Sequence, residues 1–396
     1  MPATPSETLR ARVLAAALIG IFYIAIATSA ATLPTLGAGG VLVDFDAFYI
    51  VSQMLAEGRV AEAYDVRLMA ARQQELVGHE GFMPWTYPPP FDLLVAPLAW
   101  LPRGLAFALF TGTTLAFYLW VLARLAGHGL GTVMLVLAPP IYVSVTIGQN
   151  SFLTGGLMGL FCLLSLRGKV WAGVPLGLLI IKPHLGLGLG MQALASARWP
   201  VVALAAAVAA LACGLATLAF GPAIWRAFLT GVETAGDALA LGIYPLFRMI
   251  SVYALAFTAG LSPNLASILQ GAMALAAMAV VLLAVRRGLP AHQTLALACF
   301  ASAMVSPYLY DYDMALAGVG AALILGDIMA RTSPAERLAL LALAWVAGGW
   351  GILHALSNAG LPWAERAAIA RETLAYAGVA YLILMALLWR ILRRPV

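Results

Sequence analysis

The sequence predicts an all-α, polytopic integral membrane protein with about twelve transmembrane helices. Three observations carry this. The chain is 63% hydrophobic and only 10% charged, against about a quarter charged in soluble domains. Its apolar residues come in long runs: Val201–Phe220 and Leu265–Val285 contain no charged side chain. Runs of about 18 or more apolar residues match the hydrocarbon thickness as helices. Lys and Arg then recur at alternate run ends, the positive-inside pattern.

In chain order, a first apolar run at about 13–33 is too long for a signal-peptide core and has no obvious A-x-A-like cleavage site, so it reads as a retained span. Arg10 and Arg12 hold the N-terminus in the cytoplasm. A more polar segment, 37–102, follows as a first periplasmic loop. Spans are expected at about 104–123, 131–147, 152–166, 170–182, 185–197 and 200–220. Their inner ends carry Arg124 and His128, Arg167 and Lys169, and Arg198. A second periplasmic loop, 221–263, precedes spans at about 265–285, 290–305, 313–330, 336–354 and 372–389. The inner ends there carry Arg286 and Arg287, Arg331 and Arg337, and Arg390, Arg393 and Arg394. Both termini are then cytoplasmic, and 1–396 forms one transmembrane domain. Pro88–Leu101 and Met249–Leu261 are too short to span, since about 14 residues at about 1.5 Å each fall short of a roughly 30 Å core. They are expected at the outer interface or as re-entrant segments.

The net charge is +5 without a Lys/Arg block of nucleic-acid type, so it reflects membrane anchoring. Cys162, Cys213 and Cys299 all lie in apolar runs, which predicts neither a disulfide nor a metal cluster. No Walker loop, G-x-S-x-G or H-E-x-x-H motif is present. No cofactor is expected. Alternating Gly186, Gly188 and Gly190 read as close helix packing.

With the inside set by Arg and Lys, the remaining polar residues near span ends fall on the outer side. They are Asp44, Asp46, Tyr87, Gln149, Asn150, Lys182, His184, Arg248, Tyr308, Tyr310, Asp311, Tyr312 and Asp313. Ionisable groups at membrane depth cost a few kcal/mol or more unless paired or hydrated. Several at one level indicate a polar cavity. Each also has a plainer reading. Asp44 could be an N-cap and Asp46 a first-turn partner of the helix dipole. Lys182, at the break made by Pro183, could snorkel. His184 could be structural, and Arg248 an interfacial anchor. Gly148-Gln149-Asn150 could be a helix–helix turn, and Asp311 or Asp313 a cap. Two residues apart, those aspartates cannot share one helix face.

The ordered segments carry a resemblance. They are Asp44-Phe45-Asp46-Ala47-Phe48-Tyr49, Tyr87-Pro88-Pro89-Pro90-Phe91, Gly148-Gln149-Asn150, Ile181-Lys182-Pro183-His184, Met249-Ile250-Ser251-Val252-Tyr253, and Ser306-Pro307 before an aromatic and acidic stretch. In this order they resemble glycosyltransferase family 87, of the GT-C superfamily of polyprenyl-phosphate-sugar-dependent enzymes. The resemblance implies a GT-C fold, interfacial helices in the first outer loop, a catalytic aspartate there and an outer-leaflet active site. Asp44 matches the family's acidic position, and Asp46 is an additional aspartate. Mannosyltransferase members often carry histidine shortly after the Ser-Pro pair, where this chain has Tyr310, Asp311 and Tyr312.

The expected activity is inverting transfer of a sugar, mannose or another hexose or pentose, from a polyprenyl-phosphate donor to a lipid or glycan acceptor. Asp44 is the expected base, with Asp46 in reserve. Lys182, with Arg248 and His184, is expected to bind the donor phosphate. Tyr87, Gln149, Asn150, Asp311 and Tyr312 are expected to contact sugar or acceptor. The expected location is a bacterial inner membrane, with membrane lipids and no nucleic acid as partners. The competing classes are a transporter of a lipid-linked sugar or small solute, and a non-catalytic lipid-binding subunit. No convincing internal repeat supports the transporter.

Overall fold

A computed structural model describes residues 42–77, 83–358, 361 and 363–394. Among them the chain is helical throughout, and the strand pairing present is an isolated antiparallel bridge between Met249 and Tyr310. The first apolar run, 13–33, lies outside the described residues.

The first polar segment folds into short helices: α1 (Asp44–Ala56), α2 (Val66–Val77) and α3 (Pro89–Val95). α1 does not begin as expected. Val43 is its N-cap, with extended backbone at φ −116° and ψ 160°, so Asp44 is already helical and caps nothing. The carboxylate of Asp46, one turn in, accepts the Val43 N–H at 2.9 Å. Both aspartates sit at the positive end of the helix dipole. The α1 face bearing Phe45, Phe48, Val51 and Met54 is buried. Phe48 meets Trp85 and Phe91 edge-on at 6.0 and 5.3 Å, which binds α1 to α3. Pro88 is extended and Pro89 opens α3, as the triple proline predicts.

The apolar body follows as α4 (Arg103–Ala126), α5 (Leu130–Val136), α6 (Ala138–Ile147), α7 (Ser151–Leu166), α8 (Gly173–Leu178), α9 (Leu187–Ala195), α10 (Trp199–Phe220), α11 (Ala223–Ala240), α12 (Val252–Thr258), α13 (Pro263–Arg286), α14 (Ala291–Ala303), α15 (Ala315–Arg331), α16 (Pro334–Ser357), α17 (Trp363–Glu372) and α18 (Tyr376–Leu392). Among the described residues, six helical stretches are long and apolar enough to cross a membrane: 103–136, 199–220, 263–286, 311–331, 334–354 and 368–392. Within the described residues, the other expected spans correspond to shorter helices. α7, at about 1.5 Å per residue, reaches only about 24 Å. Residues 170–186 alternate between 3₁₀ turns and the six-residue α8, with the chain broken at Lys182. α4 packs on α7, α8 on α10, α14 on α15 and α16 on α18.

One buried acid holds the first polar segment together. Asp92 accepts from the Tyr64 hydroxyl at 2.8 Å and the Trp85 indole N–H at 2.9 Å. Burial nevertheless raises its pKa to about 7. A carboxyl whose pKa is raised on folding binds its proton more tightly when folded, so its stabilisation falls as pH rises from about 4 to about 7. The melting temperature should therefore drop between pH 5 and pH 8. Asp92→Asn should flatten that drop in a pH series of thermal melts. An equally steep fall in the variant would assign the dependence to other groups.

Candidate functional site

The site is assembled by the breaks between helices. At the first break, α6 ends on Gly148, whose left-handed backbone (φ +65°, ψ 34°) turns the chain into α7. A Cβ there would strike Phe107 and Phe45 at 2.6 and 2.7 Å, so the turn needs glycine both for its torsion and for its closeness to α1 and α4. The turn delivers Gln149 to α1. Gln149 Nε2 donates to Asp44 Oδ2 at 2.8 Å, and its Oε1 accepts from the Tyr87 hydroxyl at 3.0 Å and from the Asn150 N–H at 2.8 Å. Asn150 is fully buried. Its carboxamide borders the Tyr87 hydroxyl, yet neither of its polar atoms makes a hydrogen bond with any described residue.

At the second break, Lys182 stands between two 3₁₀ turns and points inward. Its ammonium donates to Asp313 Oδ1 at 2.5 Å. This pairing, and not snorkelling, accounts for the lysine. His184, two residues on, has a buried Nε2 without a partner among the described residues.

The third and fourth breaks are tied to each other. The Met249–Tyr310 bridge and the Ile250 N–H to Leu309 O bond, at 2.8 Å, set residues 248 and 311 side by side. Arg248 then grips Asp311 with two parallel bonds, Nη2 to Oδ1 at 2.9 Å and Nε to Oδ2 at 3.1 Å. Such forks fix geometry as well as charge. Gly351 of α16 lies against this pair, and a Cβ there would collide with Asp311 Oδ2. The rings of Tyr310 and Tyr312 stack at 5.2 Å. Arg248 lies 5.7 and 5.8 Å from their centroids, and Lys182 lies 5.5 Å from Tyr312.

These pieces form one cluster. Asp44 feels the charges of Arg248, Lys182 and Asp311, and its burial raises its pKa above the usual carboxylate range. Tyr87, Tyr310 and Tyr312 all lie within the field of Asp44. Nine of the expected site residues therefore meet: Asp44, Tyr87, Gln149, Asn150, Lys182, Arg248, Asp311 and Tyr312, with His184 coupled to Lys182. Asp46 does not join them. Its side chain turns to Arg103, which donates from Nε at 2.9 Å and completes an ion pair, while Val43 occupies its other oxygen. Arg103 and Asp92 have roles that the residue pattern did not single out, and Asp313, noted there only as an outer polar residue and a candidate cap, is the partner of Lys182. Arg103 offered a signal, as a cation at an expected outer end with no inner-face reason to be there.

Among the described residues no three His, Cys, Asp or Glu side chains are grouped to hold a metal ion. The positive charge of the site is Lys182 and Arg248. An open apolar groove of about 560 Å³ runs between α9 and α13, lined by Gly190, Met191, Gly271 and Met278 and reaching Val305. Of the three alternating glycines only Gly188 packs tightly, against the Ala298 carbonyl of α14. Gly190 faces open space.

The helices and the cluster define a multi-pass membrane protein with a charged internal site. Residues 85–307, more than half of the chain, match the model of glycosyltransferase family 87, and the chain belongs to that family. It is a membrane glycosyltransferase. No curated protein and no solved structure matches the chain. The matched stretch contains Tyr87, Gln149, Asn150, Lys182, His184 and Arg248. Asp44 and the Asp311–Asp313 turn lie outside it and reach it through Gln149, Lys182 and Arg248.

Proposed function

We propose that this protein moves a sugar from a polyprenyl-phosphate donor to a lipid or glycan acceptor at the periplasmic face of a bacterial inner membrane, with inversion and with Asp44 as general base. The observation that carries this reading is the meeting of Asp44 with two cations in one cluster, the buried Lys182 and the partly exposed Arg248. Among the described residues no hydrogen bond reaches Asp44 Oδ1. Burial raises the basicity of this carboxylate. It takes the proton of the acceptor hydroxyl as that oxygen bonds to the anomeric carbon. The bond from that carbon to the phosphate oxygen breaks, and the phosphate leaves with the electron pair. Direct displacement inverts the centre.

Lys182 uses one of its three N–H donors on Asp313, and Arg248 two of its five on Asp311. The remainder can hold the phosphate, whose charge grows as it departs. His184 Nε2 and the Asn150 carboxamide, without hydrogen bonds to any described residue, supply further contacts to donor oxygens. Tyr312 and Asp311 face the sugar or acceptor.

The test is transfer from labelled polyprenyl-phosphate mannose, other hexoses and a pentose by purified protein in detergent. A new glycosidic bond with inverted configuration is expected from one donor class. Vectorial movement of intact donor across vesicles, without bond formation, would replace the enzyme by a transporter.

The groove yields a separate prediction. Gly190→Phe meets no neighbour at its Cβ, so it should fold normally while filling the space for a prenyl chain. Each displaced methylene forfeits about 0.8 kcal/mol, and two raise KM about tenfold for a long-chain donor. A donor with two isoprene units should be used as before. Equal losses for both lengths would place the lipid elsewhere.

A further inference from the structure

We propose that Gln149 is a positioning residue: it binds no substrate, but clamps Asp44 through Oδ2 and so leaves Oδ1 as the oxygen that takes the proton. This rests on the reading of Asp44 as the base.

The polarity of the clamp follows from a single backbone group. The Asn150 N–H can only donate, so the Gln149 atom facing it at 2.8 Å must be the carbonyl Oε1. The opposite amide orientation would set two donors against each other. With Oε1 so placed, Nε2–H is directed at Asp44 Oδ2, and the Tyr87 hydroxyl must donate to Oε1. Oε1 then has both lone pairs used. Gln149 is also buried, and an amide committed on both ends has little left for a sugar. Its neighbour Asn150 is equally buried, and its carboxamide, hydrogen-bonded to none of the described residues, has the complementary character of a ligand contact.

The clamp has two effects on the carboxylate. It prevents Asp44 from rotating toward Arg248 or Lys182, which would join it to the ion pairs and spend it. It also places one oxygen, already hydrogen-bonded, away from the reacting hydroxyl. Charged and titratable groups face Asp44 from every side: Arg248, Lys182, Asp311, Tyr87, Tyr310 and Tyr312. All remain in a Gln149 variant, so a change in the titration of Asp44 reports the missing N–H.

The experiment is the pH profile of kcat/KM for wild type, Gln149→Ala and Tyr87→Phe. A hydrogen bond to a carboxylate favours its charged form. In Gln149→Ala the acid limb should move about one pH unit upward, with kcat reduced and the donor KM within about twofold. Tyr87→Phe leaves the amide but frees its carbonyl, so its limb should move the same way by less. This variant decides the matter if Gln149→Ala does not fold. A raised donor KM with an unmoved acid limb, in whichever variant folds, overturns the proposal and returns Gln149 to sugar binding. Full turnover in Asp44→Asn removes instead the base on which the proposal stands, so the two failures are distinct.

Discussion

Asp44→Asn should cut sugar transfer by about 100- to 10,000-fold, the range over which a positioned base acts, while Asp46→Asn should leave the rate per folded molecule within about tenfold of wild type. The two residues are alike in composition but not in circumstance. Asn at 44 can still accept the Gln149 N–H through its carbonyl oxygen, so the link between α1 and the turn before α7 survives and only basicity is removed. Asn at 46 can still cap Val43. It loses the charge that partners Arg103, with Asp46 only 1% exposed and Arg103 12%. Stranding one member of a buried pair costs up to about 3–5 kcal/mol. The expected pattern is thus an inactive, stable Asp44 variant and an unstable, active Asp46 variant. Transfer rates normalised to folded protein, read beside thermal melts, check both. The reverse pattern would move the base to Asp46.

This assignment also marks where the sequence stops being informative. The apolar runs and sparse charge define the membrane class without reference to tertiary structure. Pro88–Pro90 and Pro183 act locally, through the restrictions proline places on its neighbours, so the start of α3 and the break at Lys182 were both legible. The choice between Asp44 and Asp46 was not. It depends on the helix being capped at Val43 instead of Asp44, and a shift of one residue exchanges which carboxylate caps the helix. Helix ends are uncertain at that level from pattern alone. The partners were less legible still. Lys182 and Asp313 are 131 residues apart, and Asp44 and Gln149 are 105 apart. Only the packing of separate helices brings them together. Asp311 and Asp313, two residues apart and so not on one helix face, turn to different cations, Arg248 and Lys182.

The pairing of Lys182 with Asp313 separates stability from function in a way that single substitutions cannot. Asp313 is wholly buried at its side chain and Lys182 is 11% exposed. Asp313→Ala strands the ammonium and Lys182→Ala strands the carboxylate, and each should cost about 3–5 kcal/mol. An inactive variant of either kind would therefore say little about the phosphate. Replacing both by apolar residues of similar volume, Lys182→Met with Asp313→Leu, removes the desolvation cost of both charges and should restore stability to near wild type. If Lys182 serves only to neutralise Asp313, the double variant regains transfer along with its melting temperature. If its free N–H groups hold the donor phosphate, the double variant folds but transfers at least about a hundredfold more slowly. Removing one charge-assisted hydrogen bond from a departing anion slows a reaction by about that factor. The deficit should also be larger in kcat/KM for the phosphate-linked donor than in the melting curve by any measure of folding. A stable double variant with full turnover would leave Arg248, held by its own aspartate at 2.9 Å, as the cation on which the phosphate depends.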